Sequence, residues 1–118
     1  MMIQTTVGVP MDAEVLSNYL VALVNHFFKI LPIRENGESS LNVYMRSLQA
    51  ELLGCRELIE AIHDDALFLT LISILQYLID TPDCPVQDVK REVFRAISIC
   101  NKLKNRYAAR GVAEGVGE

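Results

Sequence analysis

Paired cysteines are missing from this chain. Cys55, Cys84 and Cys100 are odd in number, and none of them lies in a Cys-x-x-Cys spacing. A disulfide framework or a zinc knuckle needs paired or clustered cysteines, so the spacing indicates neither. We expect buried or half-buried free thiols, which is the usual environment of unpaired cysteine. Only Cys84 falls in a predicted loop.

An uninterrupted hydrophobic run of membrane-spanning length is also missing. The longest apolar stretch covers residues 66–79 and is bounded by Asp64, Asp65 and Asp80. It is shorter than the roughly 20 residues that cross a hydrocarbon core. Residues 1–6 have neither the basic nor the apolar region of a secretory signal. We therefore expect a cytoplasmic protein with no membrane association.

Sequence motifs of common catalytic sites are equally scarce. The glycines are scattered and form no phosphate-binding loop, and the chain has no Gly-x-Ser-x-Gly segment. Glu60 and His63 match a Glu-x-x-His step, but a di-iron site in a helical bundle needs a second copy and further glutamates. We expect neither a metal site nor a cofactor, and we expect the chain not to be an enzyme.

Arg56 and His63 are the one further catalytic candidate. Their spacing of seven residues is similar to the Arg-to-His pairs of some helical ribonucleases, which is an analogy at the level of fold. Proton transfer would need His63 within reach of a substrate proton, which a sequence does not show. A ribonuclease-like enzyme is therefore a distant third hypothesis.

Length and composition favour one folded domain. The 118 residues are 51% hydrophobic and 22% charged, as in globular proteins of one core. We predict a single helical domain over 1–118 with its core at about 12–110 and with residues 1–10 and 111–118 loosely ordered. The fold class that we predict is all-α, an antiparallel four-helix bundle with a buried third helix.

Apolar residues at three- and four-residue steps predict helices at about 12–31, 40–62, 66–79 and 85–109. Pro32 and the following polar stretch should end the first helix, and Ser39 or Ser40 should cap the second. Asp64 and Asp65 either cap a separate third helix or lie at a bend in one long helix, and we favour the break. The third helix is apolar on almost every side, apart from a strip of Thr70, Ser73, Gln76 and Tyr77.

Charge is distributed unevenly along the chain. Residues 1–85 carry a net charge of −7, residues 86–110 carry +5, and the last eight residues carry −2. At 100° per residue, four cations of the fourth helix lie within about 60° of one another, opposite its apolar face. We call this set the basic stripe, and its members are Arg91, Arg95, Lys102 and Arg106.

The basic stripe has three interpretations. It can be a solvated helix face that pairs with its own acidic neighbours. It can contact an acidic surface on a protein partner or on a second copy of the chain. It can also bind nucleic acid non-specifically, although an acidic chain of pI about 5.1 repels a polyanion. The leading hypothesis is a small cytoplasmic protein–protein interaction module that self-associates or forms part of an assembly.

Overall fold

The computed structural model describes residues 2–3, 11–37 and 39–117, and it describes the side chains of 14–37, 39–59 and 62–107. Six helices and two short strands follow one another along this part of the chain. They are β1 Met2–Ile3, β2 Met11–Asp12, α1 Ala13–Phe28, α2 Ile30–Glu35, α3 Leu41–Leu58, α4 Glu60–His63, α5 Ala66–Asp80 and α6 Val86–Gly117. The all-α bundle is confirmed, with four long helices at the predicted places.

The two strands lie in and beside the segment for which the sequence predicts no regular structure. Met2 pairs with Asp12 and Ile3 with Met11 in an antiparallel register. Strands of two residues are too short to produce a periodic pattern, which is why the sequence does not predict them. Residues 4–10 of the same predicted loose segment lie outside the described residues.

The first predicted helix is divided in two and is longer than expected. Pro32 has no N–H and cannot donate to the carbonyl of Phe28, so the regular helix is interrupted at Lys29. Pro32 then lies in the first turn of α2, where N–H groups have no partner within the helix. The helix therefore resumes through Glu35, and the prediction that Pro32 ends it is wrong.

The second and third predicted helices are separate, as favoured, with an additional break between them. Asp65 is the N-cap of α5, and its side chain accepts hydrogen bonds from the amides of Leu67 at 2.9 Å and Phe68 at 3.3 Å. Ile59 adopts an extended conformation with φ −107° and ψ 108°, which separates α3 from α4. No glycine or proline marks this second break in the sequence.

Helix α6 begins after Pro85, whose carbonyl accepts from the amides of Asp88 and Val89. It continues to Gly117, beyond the predicted end near residue 109. Glycine lowers helix stability by about 1 kcal/mol per residue but does not prevent the helical conformation as proline does. Ser40 precedes α3 as predicted, although its side chain forms no capping hydrogen bond.

The core lies where α6 contacts α1, α2 and α5, and where α3 contacts α5. Ser17, near the start of α1, lies 3.5 Å from the carbonyl of Lys104 in α6, and Phe28, at the end of α1, lies beside Phe94, which comes earlier in α6. These two helices therefore run in opposite directions. An antiparallel arrangement of all four long helices stays a prediction.

Helix α5 is buried on the predicted side. Its buried residues are Phe68, Leu71, Ile74, Leu75, Leu78 and Ile79. Ser73, Gln76 and Tyr77 of the predicted polar strip are exposed. Other helices of the same chain thus cover the apolar face of α5, so a second copy is not needed to cover it.

Candidate interaction surface

The basic stripe lies along the solvent side of α6. The side chains of Arg91, Arg95 and Arg106 are 61%, 54% and 40% exposed, and Lys102 is exposed as well. The opposite side of α6 contributes Val93, Ala96, Cys100 and Leu103 to the core among others. The helical period thus separates the cations from the core, as the sequence predicts.

Glu92 lies at the edge of the basic stripe and engages two of its arginines. One of its oxygens accepts from Arg91 Nε at 3.4 Å, and the other accepts from Arg95 Nη1 at 3.0 Å. Arg91 also donates from Nη1 to Asp88 at 3.1 Å. The hydrogen bond to Glu92 and the charge of Asp88 raise the pKa of Arg91. The acidic neighbours therefore neutralise much of the charge at this end of the stripe.

Arg106, at the other end of the basic stripe, forms an ion pair with Asp65 at the start of α5. Asp65 has a double role because its other oxygen caps α5. Lys102 lies between the two ends and forms no ion pair among the described side chains. Three of the four predicted contacts are thus partly engaged within the chain, while Lys102 has its ammonium group open to solvent.

An exposed aromatic pair lies beside the basic stripe, and the sequence analysis missed it. Phe94 of α6 and Phe28 of α1 are 52% and 43% exposed, and their ring centroids are 5.9 Å apart in an edge-to-face arrangement. The signal was present in the sequence, since Phe94 lies between Arg91 and Arg95 and away from the apolar side of its helix. Large exposed aromatics are frequent anchors of protein interfaces.

Arg56 and His63, the catalytic candidates of the sequence, form contacts within the chain. Arg56 donates from Nε to the backbone carbonyl of His63 at 2.7 Å, which links α3 to α4 across the break at Ile59. His63 Nδ1 lies 3.2 Å from an oxygen of Asp64. The side chain of Glu60 lies outside the described residues. Among the side chains that are described, no three histidine, cysteine or carboxylate groups are placed to hold a metal ion.

One helical segment of the described chain, Glu14–Glu35, is long and apolar enough to cross a membrane by length and composition, with a mean hydropathy of 1.2. The sequence analysis did not single it out. A core helix of a globular bundle meets the same criteria, and Leu16, Leu20 and Leu23 of this segment are fully buried against the rest of the chain.

Comparison with known proteins finds no match: no family model, no curated protein and no solved structure is similar to this chain.

Proposed function

We propose that this chain is a small cytoplasmic protein–protein interaction module that self-associates or forms part of a larger assembly. Its contact surface is the basic stripe together with Phe94. The observation that supports the proposal is the exposed ring of Phe94, which lies beside the basic stripe, about 60° around the helix from Arg91. Aromatic and arginine side chains are enriched in protein interfaces, whereas lysine and glutamate are depleted there.

The ion pairs within the stripe are compatible with a partner. Arginine has five N–H donors, and Arg95 uses only Nη1 in its contact with Glu92. The side chain is more than half exposed, so a partner has access to it. The contacts with Glu92 also restrict the guanidinium groups before binding, which lowers the entropy lost on association.

An acidic surface is the partner that this site favours, and a second copy of the chain can supply one. Residues 1–85 carry a net charge of −7, whereas residues 86–110 carry +5. Opposite charges on two copies accelerate encounter and fix orientation. Nucleic acid is less favoured, because no recognition-helix signature of a nucleic-acid-binding motif accompanies the stripe.

Sedimentation velocity of the full chain across a concentration series tests the self-association. We expect Phe94→Ser and Lys102→Glu each to weaken it, since the first removes the aromatic anchor and the second reverses the one open cation of the stripe. Lys29→Glu is the matched control, because Lys29 is also exposed and forms no ion pair in the described part of the chain. A wild-type chain that stays monomeric at all concentrations would contradict self-association.

Two polyanions distinguish the partner classes. Fluorescence anisotropy should show binding of labelled poly-L-glutamate that weakens in Lys102→Glu and is unchanged in Lys29→Glu. Binding of a duplex oligonucleotide with a steep salt dependence, in preference to polyglutamate, would favour nucleic acid instead. Binding of neither polymer by a monomeric chain would refute the basic stripe as a contact surface for acidic partners.

A further inference from the structure

A cavity of about 320 Å³ lies at one end of the bundle, and no residue of the basic stripe lines it. The loop before α3 and the loop between α5 and α6 form its rim. Its floor is apolar and consists of four side chains, each at most 4% exposed, from four different helices. These are Ile30 of α2, Met45 of α3, Leu78 of α5 and Val89 of α6. The floor is therefore a fixed part of the core.

The wall of this cavity carries the side chain of Arg34, which is partly exposed. Arg34 donates from Nη2 to the carbonyl of Cys84 at 2.9 Å, which attaches α2 to the loop between α5 and α6. Its Nε is buried and has no hydrogen-bond partner within the described chain. Arg34 also forms no ion pair with any described carboxylate, in contrast to Arg91, Arg95 and Arg106. A partly buried cation that pairs with none of the described carboxylates is unfavourable, and a bound anion would remove that cost.

We propose that this cavity binds a small carboxylic acid with an apolar body, the carboxylate on Arg34 and the body on the apolar floor. Small-molecule sites typically combine mostly apolar walls with a few polar groups that fix orientation, in volumes of about 300 Å³ or more. At roughly 30 Å³ per water-sized group, the volume accommodates about ten non-hydrogen atoms. An arginine fork matches the two oxygens of a carboxylate, which favours this head group over a neutral one.

Asp83 is the acidic residue on the described rim of the same cavity. It is exposed, and the charge of an exposed carboxylate is screened strongly by water. Arg34 is only partly exposed, and Cys84 holds its guanidinium in place. The fixed and less hydrated cation therefore dominates the field inside the cavity. Asn42 of α3 also lines the wall and adds an amide that can donate to a second oxygen.

Cys84 supplies a direct readout, because this half-buried residue lines the cavity and carries a free thiol. The test uses the full chain, octanoate as the ligand probe and octanamide as its uncharged analogue. Alkylation by iodoacetamide is followed by mass spectrometry at each cysteine. Octanoate should slow alkylation of Cys84 in a saturable manner and leave the rate at Cys55 unchanged, since Cys55 is half-buried outside the cavity. Octanamide should protect at least tenfold more weakly.

Two variants complete the test. Arg34→Gln should weaken octanoate protection about tenfold or more, whereas Arg95→Gln, which lies in the basic stripe, should leave it unchanged. Unchanged protection in Arg95→Gln would also show that octanoate does not bind at the basic stripe. Absence of saturable protection by octanoate would overturn the proposal, as would equal protection by octanamide. Both of these outcomes are measured on the wild-type chain, so they stand even if Arg34→Gln fails to fold.

Discussion

Asp65 offers the sharpest test of how the helices are joined, because one side chain has two roles. One oxygen caps the amide end of α5, and the other forms the ion pair with Arg106 of α6. Asp65→Ala removes both contacts, whereas Asp65→Asn keeps a good capping residue and removes only the charge. Arg106→Gln removes the ion pair from the other side and leaves the cap in place.

The expected effects follow from the geometry. Loss of an N-cap costs about 1 kcal/mol. The ion pair contributes about 0.5–1 kcal/mol after allowance for solvent screening, because Arg106 is 40% exposed. Asp65→Ala should therefore lower the free energy of unfolding by about 1.5–2 kcal/mol. At roughly 4 °C per kcal/mol for a domain of this size, the Tm should fall by about 6–8 °C.

Thermal and urea unfolding, followed by circular dichroism, measure these differences. Asp65→Asn and Arg106→Gln should each cost about 0.5–1 kcal/mol. Their combination should cost little more than either change alone, since both remove the same contact. The reasoning fails if Asp65→Asn is as destabilising as Asp65→Ala, because the cap would then contribute nothing. Strict additivity of Asp65→Asn and Arg106→Gln would refute the ion pair.

Three further outcomes are expected. Leu75→Ala should lower the free energy of unfolding by about 2–5 kcal/mol in urea titrations, because Leu75 is fully buried, whereas Ser73→Ala on the exposed side of α5 should change it by less than about 0.5 kcal/mol. Iodoacetamide at pH 8 should label Cys84 and leave Cys100 unmodified in native protein, since burial raises the pKa of the Cys100 thiol to about 12. The free energy of unfolding should fall as the pH rises from about 9 towards 12, because the Cys100 thiol ionises in the unfolded chain first. Burial also raises the pKa of Tyr19, which acts in the same direction. Cys100→Ala should therefore reduce this fall without abolishing it.

The positions of the long helices were predictable because their signals are local. The periodic apolar residues that predict α3 and α5 lie within those helices, and the Asp65 carboxylate that caps α5 lies directly before it. The breaks at Lys29 and Ile59 were not predicted. After Lys29 the chain resumes a helix at Ile30 and continues it through Pro32, and at Ile59 an ordinary apolar residue takes an extended conformation. The break at Ile59 has no terminating residue to mark it, and at Pro32 the sequence does not show whether the chain leaves the helix or continues it.

The candidate surface was predictable where it depends on α6 alone and not where it depends on contacts with other helices. The helical period places Arg91 and Arg95 on the solvent side of α6, and Asp88 and Glu92 lie close enough in sequence to suggest their ion pairs. The partner of Arg106 lies 41 residues away, so no local pattern identifies it. Phe28 and Phe94 come together only because α1 and α6 run in opposite directions. Their contact was therefore not visible in either segment alone.

Three properties are readable without coordinates: the all-α class, the residues that face the core and the side of the last helix that carries positive charge. These properties follow from the period of 3.6 residues and from capping groups, which act over a few residues. The ion pair of Asp65 with Arg106 and the attachment of Arg34 to the loop between α5 and α6 are visible only once the helices are packed together. Such contacts join residues far apart in sequence, and they depend on how the helices cross and where the loops meet.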